Sequence, residues 1–315
     1  MSYLACRLPN HIGDCCMALP ALRLLAQSHF TPLLVGKPWS QSLFRGMFWP
    51  SVAITQQMIP SGMRLRDSLS KYQVKNGLLF PNSLSSALLF RIARLRPTGF
   101  PTDCRGLFLS HSIPEPKEMH EVERFFYLAH KAILALGGTP AWDKVPETIG
   151  LQLLEAHHEV ARNILKKHLD NRPFALLAPV AKGLHHGQKK SWDHFNALCT
   201  PLRQMGIEPV VLPSPDEVQA ARQACPDALF LPSVSLGVFA ALATRAQFVI
   251  ANDSGVSHIA AAVNAPQITL IGVTKTNRTG PWNPKAHCLG SIETGWPSID
   301  TVLETIHSIV HHAKN

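Results

Sequence analysis

QFVIANDSGVSHIAAAVNAP, residues 247–266, changes its hydrophobic period part-way along. Phe248, Val249 and Ile250 form a short apolar run of the kind a buried strand requires. Asn252-Asp253-Ser254-Gly255 breaks that run. Apolar positions resume at Val256, Ile259, Ala260 and Val263, the i, i+3, i+4, i+7 spacing of one helix face. A small-residue turn between strand and helix aims the first helical N–H groups beyond the strand's carboxyl end, where the helix dipole favours phosphate. Asp253 is acceptor-only when ionised and suits sugar hydroxyls. The turn therefore fits a nucleotide-sugar site. Asp and Ser are also common helix N-caps, so on this turn alone capping and ligand binding are equal readings.

Outward from this stretch the same unit recurs. Segments 3–8, 33–35 and 77–80 read as strands of a first half, and 174–177, 208–212, 229–231 and 268–271 as strands of a second. Helices are expected from the turn 9–13 to about residue 28, and over 84–94, 118–136, 154–169, 236–244 and 296–312, with 53–75 irregular and basic. Pro20 is a candidate kink in the first helix. This alternation predicts an α/β protein of two Rossmann-like domains facing across a cleft. Segment 141–153 lacks periodicity and carries Pro146, which places the domains at 1–153 and 154–315. The last helix is a candidate to pack back on the first domain. Neither G-x-G-x-x-G nor a P-loop is present. The first loop instead brings Asp14 to the carboxyl end of the first strand, where open α/β sheets hold their ligands.

At 315 residues the chain is long enough for two cores, and no run approaches the ~20 apolar residues of a membrane helix. Arg7 and Asp14 interrupt the first apolar segment, so no signal peptide is expected. Seven cysteines at irregular spacing suit reduced thiols in the cytoplasm, and the 16 histidines show no metal-binding spacing. The net charge of +9 is uneven: residues 1–150 hold 16 Lys and Arg against 9 Asp and Glu, the remainder 14 against 12. A basic first half suits an anionic partner such as a phosphorylated substrate or an acidic membrane surface. No helix-turn-helix, zinc finger or ribonucleoprotein motif supports nucleic acid.

Four stretches in order resemble the ADP-heptose–lipopolysaccharide heptosyltransferases of glycosyltransferase family 9, heptosyltransferase II most closely in pattern. They are RLPNHIGDCCMALPALRLL (7–25), LLFPNSLSSALLFRIARLRPTGF with DCRGLFLS and MHEVERFFYLAHKAILALGG (78–138), KSWDHF (190–195), and NDSGVSHIAAAVNAPQITLIG followed by NRTGP (252–281). The resemblance implies a glycosyltransferase B-type fold, an acceptor-binding domain first and a donor-binding domain second, and inverting transfer without a metal or cofactor. It implies that Asp14 is the catalytic base and that Lys190 neutralises the departing diphosphate. Asp253 would bind the donor sugar's hydroxyls, and the N–H groups of Ser254 and Gly255 the pyrophosphate, with His258 facing the same site. Glu217 would take the ribose hydroxyls and Leu236 lie under the adenine. Lys190 has Lys189 beside it, which could shift the register. Trp192 reads as core, and His258 and Leu236 each have a core reading as well.

Where the family has Pro-Gly-Ala after the strand 174–177, this chain has Pro179-Val180-Ala181. Ala181 and Lys182 are therefore candidate phosphate contacts, with His185 and His186 as further basic groups of that loop. Arg64, Arg66, Arg91, Arg94 and Arg105 are candidates for a phosphorylated lipopolysaccharide core acceptor at the inner membrane surface. The resemblance suggests a monomer, cytoplasmic and peripheral to that membrane. Two other readings stay open: another nucleotide sugar or a non-lipopolysaccharide acceptor, and a non-catalytic nucleotide- or glycan-binding module.

Overall fold

The computed structural model describes residues 2–54, 58–181, 184–185 and 187–312. The chain divides into two compact units, Met1–Glu147 and Thr148–Asn315. The boundary falls before 153 because Ile149 and Leu151 are buried, and the Leu151 amide donates to Ala262 O at 2.8 Å. Segment 149–151 is thus already part of the second unit.

The first unit is a parallel sheet of β1 (Ser2–Arg7), β2 (Phe30–Gly36), β3 (Ser51–Ala53), β4 (Asn76–Leu79), β5 (Arg96–Gly99) and β6 (His111–Ser112). Their order is β3-β2-β1-β4-β5-β6. Leu4, Ala5 and Cys6 are buried in succession, as expected of a parallel strand covered on both faces. The single helix expected after β1 is two, Ile12–Met17 and Leu19–Gln27. Pro20 starts the second rather than kinking the first, since its missing N–H costs nothing in a first turn.

Residues 53–75 are not irregular: a helix runs Met58–Leu69. Its buried positions Ser61, Leu65 and Leu69 follow helical spacing, but only two of them are apolar, and Gly62 packs directly on Ile92. Small and polar contact residues hid that amphipathic face.

In the second unit β7 (Phe174–Ala178) is followed by a two-stranded hairpin, β8 (Leu184–His185) and β9 (Gln188–Lys189). Then come β10 (Glu208–Val211), β11 (Leu229–Phe230), β12 (Val249–Asn252), β13 (Gln267–Leu270) and β14 (Ala286–Leu289). The six-stranded parallel sheet runs β11-β10-β7-β12-β13-β14. The edge strand β14 lacks a buried apolar run and gave no periodic signal. The closing helix Ile299–His312 sends Val302 and Ile306 into the core of this second unit. Both sheets therefore have the doubly wound order 3-2-1-4-5-6. Their strand order reverses between β1 and β4 and between β7 and β12, the two places where such sheets bind ligands.

Candidate active site

At the second reversal point β12 ends on Asn252, and the helix Gly255–Ala262 starts after the N-cap residue Ser254. Ser254 N–H donates to Ser257 Oγ at 3.3 Å, and Ser257 Oγ donates to Ser254 O at 2.7 Å. Ser254 thus holds the N-cap position through its backbone, and its amide is engaged with Ser257 rather than open to a pyrophosphate. Gly255 occupies the first helical position, where an N–H has no intrahelical acceptor. Asp253, one residue before the cap, is released from capping. Its amide donates to Leu270 O at 3.2 Å, and its carboxylate lies 3.9 Å from Nε2 of the buried His258.

Lys189 and Lys190 differ in their surroundings. Lys189 is exposed and pairs with Asp193 at 2.5 Å. Lys190 is half-buried and makes no hydrogen bond or ion pair among the described residues. Trp192 is core, as its sequence context suggested: it is buried, its Nε1 donates to Pro297 O at 2.9 Å, and it packs edge-on to Phe195.

Sequence reasoning missed what fixes this loop. Asn252 is fully buried; its Oδ1 accepts from the Trp192 amide at 2.8 Å, and its Nδ2 donates to Ala178 O at 3.2 Å and Pro179 O at 3.1 Å. One side chain thereby ties the end of β12 to the exit of β7 and to the segment after Lys190. An amide closing an otherwise apolar strand was the available signal. Ser191 Oγ accepts from the Ala181 amide at 3.1 Å, so that amide is engaged and Ala181 offers no free N–H to a phosphate. Lys182 and His186 lie outside the described residues.

Glu217 and Leu236 stand on the loops leaving β10 and β11, the strands next in order beyond β7. Glu217 is half-buried just before the helix Val218–Ala224, makes no side-chain cap, and accepts from Ser214 Oγ. Leu236 is half-buried at the head of Leu236–Ala243, so its side chain is not sealed in the core.

At the first reversal point Asp14 sits half-buried in the first turn of Ile12–Met17. Burial raises its pKa, with Glu121 adding to the rise and His11 and Arg124 opposing it. Arg7, buried at the end of β1, donates through Nη2 to Asn10 Oδ1 at 2.8 Å and through Nη1 to Leu8 O, which pins the loop ahead of Asp14. Desolvation lowers the Arg7 pKa to about 10.

Arg105 corrects an expectation. It is completely buried and donates to Phe100 O at 2.6 Å, to Asn82 Oδ1 at 3.1 Å and to Pro81 O. A side chain so committed braces the loops after β4 and β5 and cannot reach a phosphorylated acceptor. Arg64, Arg66, Arg91 and Arg94 are exposed. Arg66 pairs loosely with Asp67 at 3.4 Å, and Arg91 Nε donates to Phe108 O at 2.6 Å.

Each reversal point thus carries a carboxylate on its loop, Asp14 at the first and Asp253 at the second. Residues 63–305 match the family model of glycosyltransferase family 9 (heptosyltransferase). The chain belongs to that family. It is 28% identical over 253 residues to lipooligosaccharide heptosyltransferase 2 of Haemophilus influenzae, covering 73% of this chain and 69% of that protein. It is 25% identical over 318 residues to lipopolysaccharide heptosyltransferase 2 of Escherichia coli K12, covering 92% and 88%.

The solved E. coli ADP-heptose lipopolysaccharide heptosyltransferase II shares the fold over all of both chains, with a TM-score of 0.80 at 23% identity. The E. coli heptosyltransferase WaaC, solved with ADP, gives a TM-score of 0.76 at 19% identity, covering 98% of this chain and 100% of that one. This family 9 chain is therefore a glycosyltransferase of the heptosyltransferase group of lipopolysaccharide biosynthesis, with the glycosyltransferase B-type fold. The matched family span contains Lys190, Glu217, Leu236 and Asp253 and begins after Asp14. Among the described residues no helix is long and apolar enough to cross a membrane, and no three His, Cys, Asp or Glu side chains gather as a metal site would need.

Proposed function

We propose that this family 9 enzyme transfers heptose from ADP-L-glycero-D-manno-heptose to a lipopolysaccharide inner-core sugar, inverting the anomeric centre. The observation that carries the reading is the half-buried Asp14 at the first reversal point, whose affinity for a proton is raised by burial. Asp14 takes the proton from the acceptor hydroxyl as that oxygen bonds to the anomeric carbon. The bond from that carbon to the diphosphate breaks, and ADP leaves with the electron pair. Lys190, with no competing partner among the described residues, neutralises the charge that develops on the diphosphate, so the step needs no metal.

Asp253 binds the donor sugar's hydroxyls. The first helical N–H groups from Gly255 onward face the pyrophosphate, and His258 steadies the Asp253 carboxylate. Glu217 takes the ribose hydroxyls and Leu236 supports the adenine. The heptosyltransferase solved with ADP supports an adenine nucleotide as donor. Arg64, Arg66, Arg91 and Arg94 meet a phosphorylated, lipid-borne acceptor at the inner membrane surface, where each basic residue is worth about 1 kcal/mol. The protein acts there as a monomer on the cytoplasmic side.

Incubation with ADP-heptose and a set of truncated lipopolysaccharide cores, read by mass, tests this reading. One accepting core should gain a single heptose with release of ADP. Transfer from UDP- or GDP-sugars instead would replace the donor assignment. No ADP release with any core would point to a binding module.

A further inference from the structure

The helix Glu121–Ala135 brings a second set of charges to the Asp14 turn. Arg124, on its first turn, is nearly buried. Its Nε and Nη2 donate to Glu115 Oε1 at 2.9 and 2.6 Å, and its Nη1 donates to Glu121 Oε2 at 2.7 Å. The guanidinium lies 4.8 Å from the centre of the Phe100 ring. Glu115 also accepts from Asn82 Nδ2 at 3.0 Å, which joins the cluster to the loop after β4.

The helix Ile12–Met17 packs on Glu121–Ala135, so Asp14 lies within electrostatic reach of both Glu121 and Arg124. Yet Arg124 makes no ion pair with Asp14, because two glutamates hold its fork. A direct pair would lower a carboxylate's pKa by about 1–3 units and blunt it as a base. The other charges near this turn are His11 on the same loop, and Arg7 and Lys37, which act on the neighbouring Cys15. Arg7 bonds to Leu8 O and Asn10.

We propose that the Glu115–Arg124–Glu121 cluster is a positioning device for the base: Arg124, held at a distance, keeps Asp14 ionised, while Glu121 keeps it basic. This rests on Asp14 acting as the base. Glu115 locks the arginine so that neither influence can collapse into a contact pair. All three residues act through Asp14 and touch no substrate.

Carbon-13 carboxyl titration of the full-length protein reads Asp14 directly, with Asp14→Asn assigning its signal. Arg124→Gln should raise the Asp14 midpoint by about half a unit or more, and Glu121→Gln should lower it by a similar amount. Arg124→Lys keeps the charge and should hold the midpoint near wild type even where it lowers the melting temperature. Unchanged midpoints in both glutamine variants would overturn the proposal, as would equal shifts in Arg124→Lys and Arg124→Gln. If Arg124→Gln does not fold, Glu121→Gln decides alone through the opposite sign. Turnover by Asp14→Asn would overturn the base assignment but leave these midpoints readable, so the two failures are distinguishable.

Discussion

The two reversal points solve different physical problems. The second is a frame of hydrogen bonds: Asn252 binds three backbone groups from two other segments, and the Ser254 amide at the helix N-cap donates to Ser257 Oγ. Charge there is left available, with Lys190 unpaired among the described residues and Asp253 released from capping. The first is a frame of charges: the pKa of Asp14 is raised by burial and acted on by Glu121 and Arg124, and Arg124 is itself paired with Glu115 and Glu121. On the proposed function, the second site receives a diphosphate and needs available cations and N–H groups, while the first removes a proton and needs a carboxylate of adjusted basicity. The difference in construction fits that proposed division of task.

The comparison breaks most sharply at Asp14. Asp14→Ala should lower turnover by about a thousandfold, within the range general-base removal gives, with ADP-heptose affinity held within about twofold. Calorimetric binding beside a turnover assay checks both, and loss of donor binding would move Asp14 out of the acceptor half. Next, Lys190→Ala should lower kcat by about a hundredfold, as loss of one fixed charge on a leaving group does. Lys189→Ala, which breaks an exposed pair, should change stability by less than about 0.5 kcal/mol and leave kcat alone. Equal losses in the two variants would erase the distinction between them.

Asn252→Ala leaves three buried backbone groups without their partner and should cost about 3 kcal/mol in denaturant unfolding. Because Asn252 anchors the Trp192 amide, the KM for the donor should rise as well. A drop in stability with donor KM unchanged would separate the frame from the lysine. The smallest effect concerns pH. The Asp14 pKa is raised in the folded protein, so the fold binds its proton more tightly than the unfolded chain does. The stability this proton linkage adds is full below the ordinary value of 3.8 and is lost as pH rises through the folded value. Asp14→Asn should therefore raise the melting temperature at neutral pH, and the gain should shrink as pH falls toward 3.8. A gain that is constant with pH would mean that packing, not ionisation, sets it.

The strand–turn–helix at residues 247–266 was legible in the sequence because its parts are contiguous. A strand, a small-residue turn and a helix face all fall within residues 247–266, and the structure keeps that order as β12, Ser254 and Gly255–Ala262. Legibility failed where contact residues are small or polar, as in the helix Met58–Leu69, and at the edge strand β14, whose residues are only partly covered. Arg105 failed for a different reason. A surface arginine and a buried brace look alike in sequence, and only its acceptors at Phe100, Pro81 and Asn82 tell them apart.

By itself the sequence determined the alternation of strands and helices and the two-sheet architecture, because hydrophobic period and turn chemistry act between neighbours, while Asp14, Lys190 and Asp253 were singled out as site candidates by the family resemblance. Tertiary structure alone decided which lysine is unpaired among the described residues, which arginine is buried, and how Arg124, held by Glu115 and Glu121, comes within electrostatic reach of Asp14. Burial and Coulomb interaction depend on distance in space, and these groups are brought together from segments far apart in the chain.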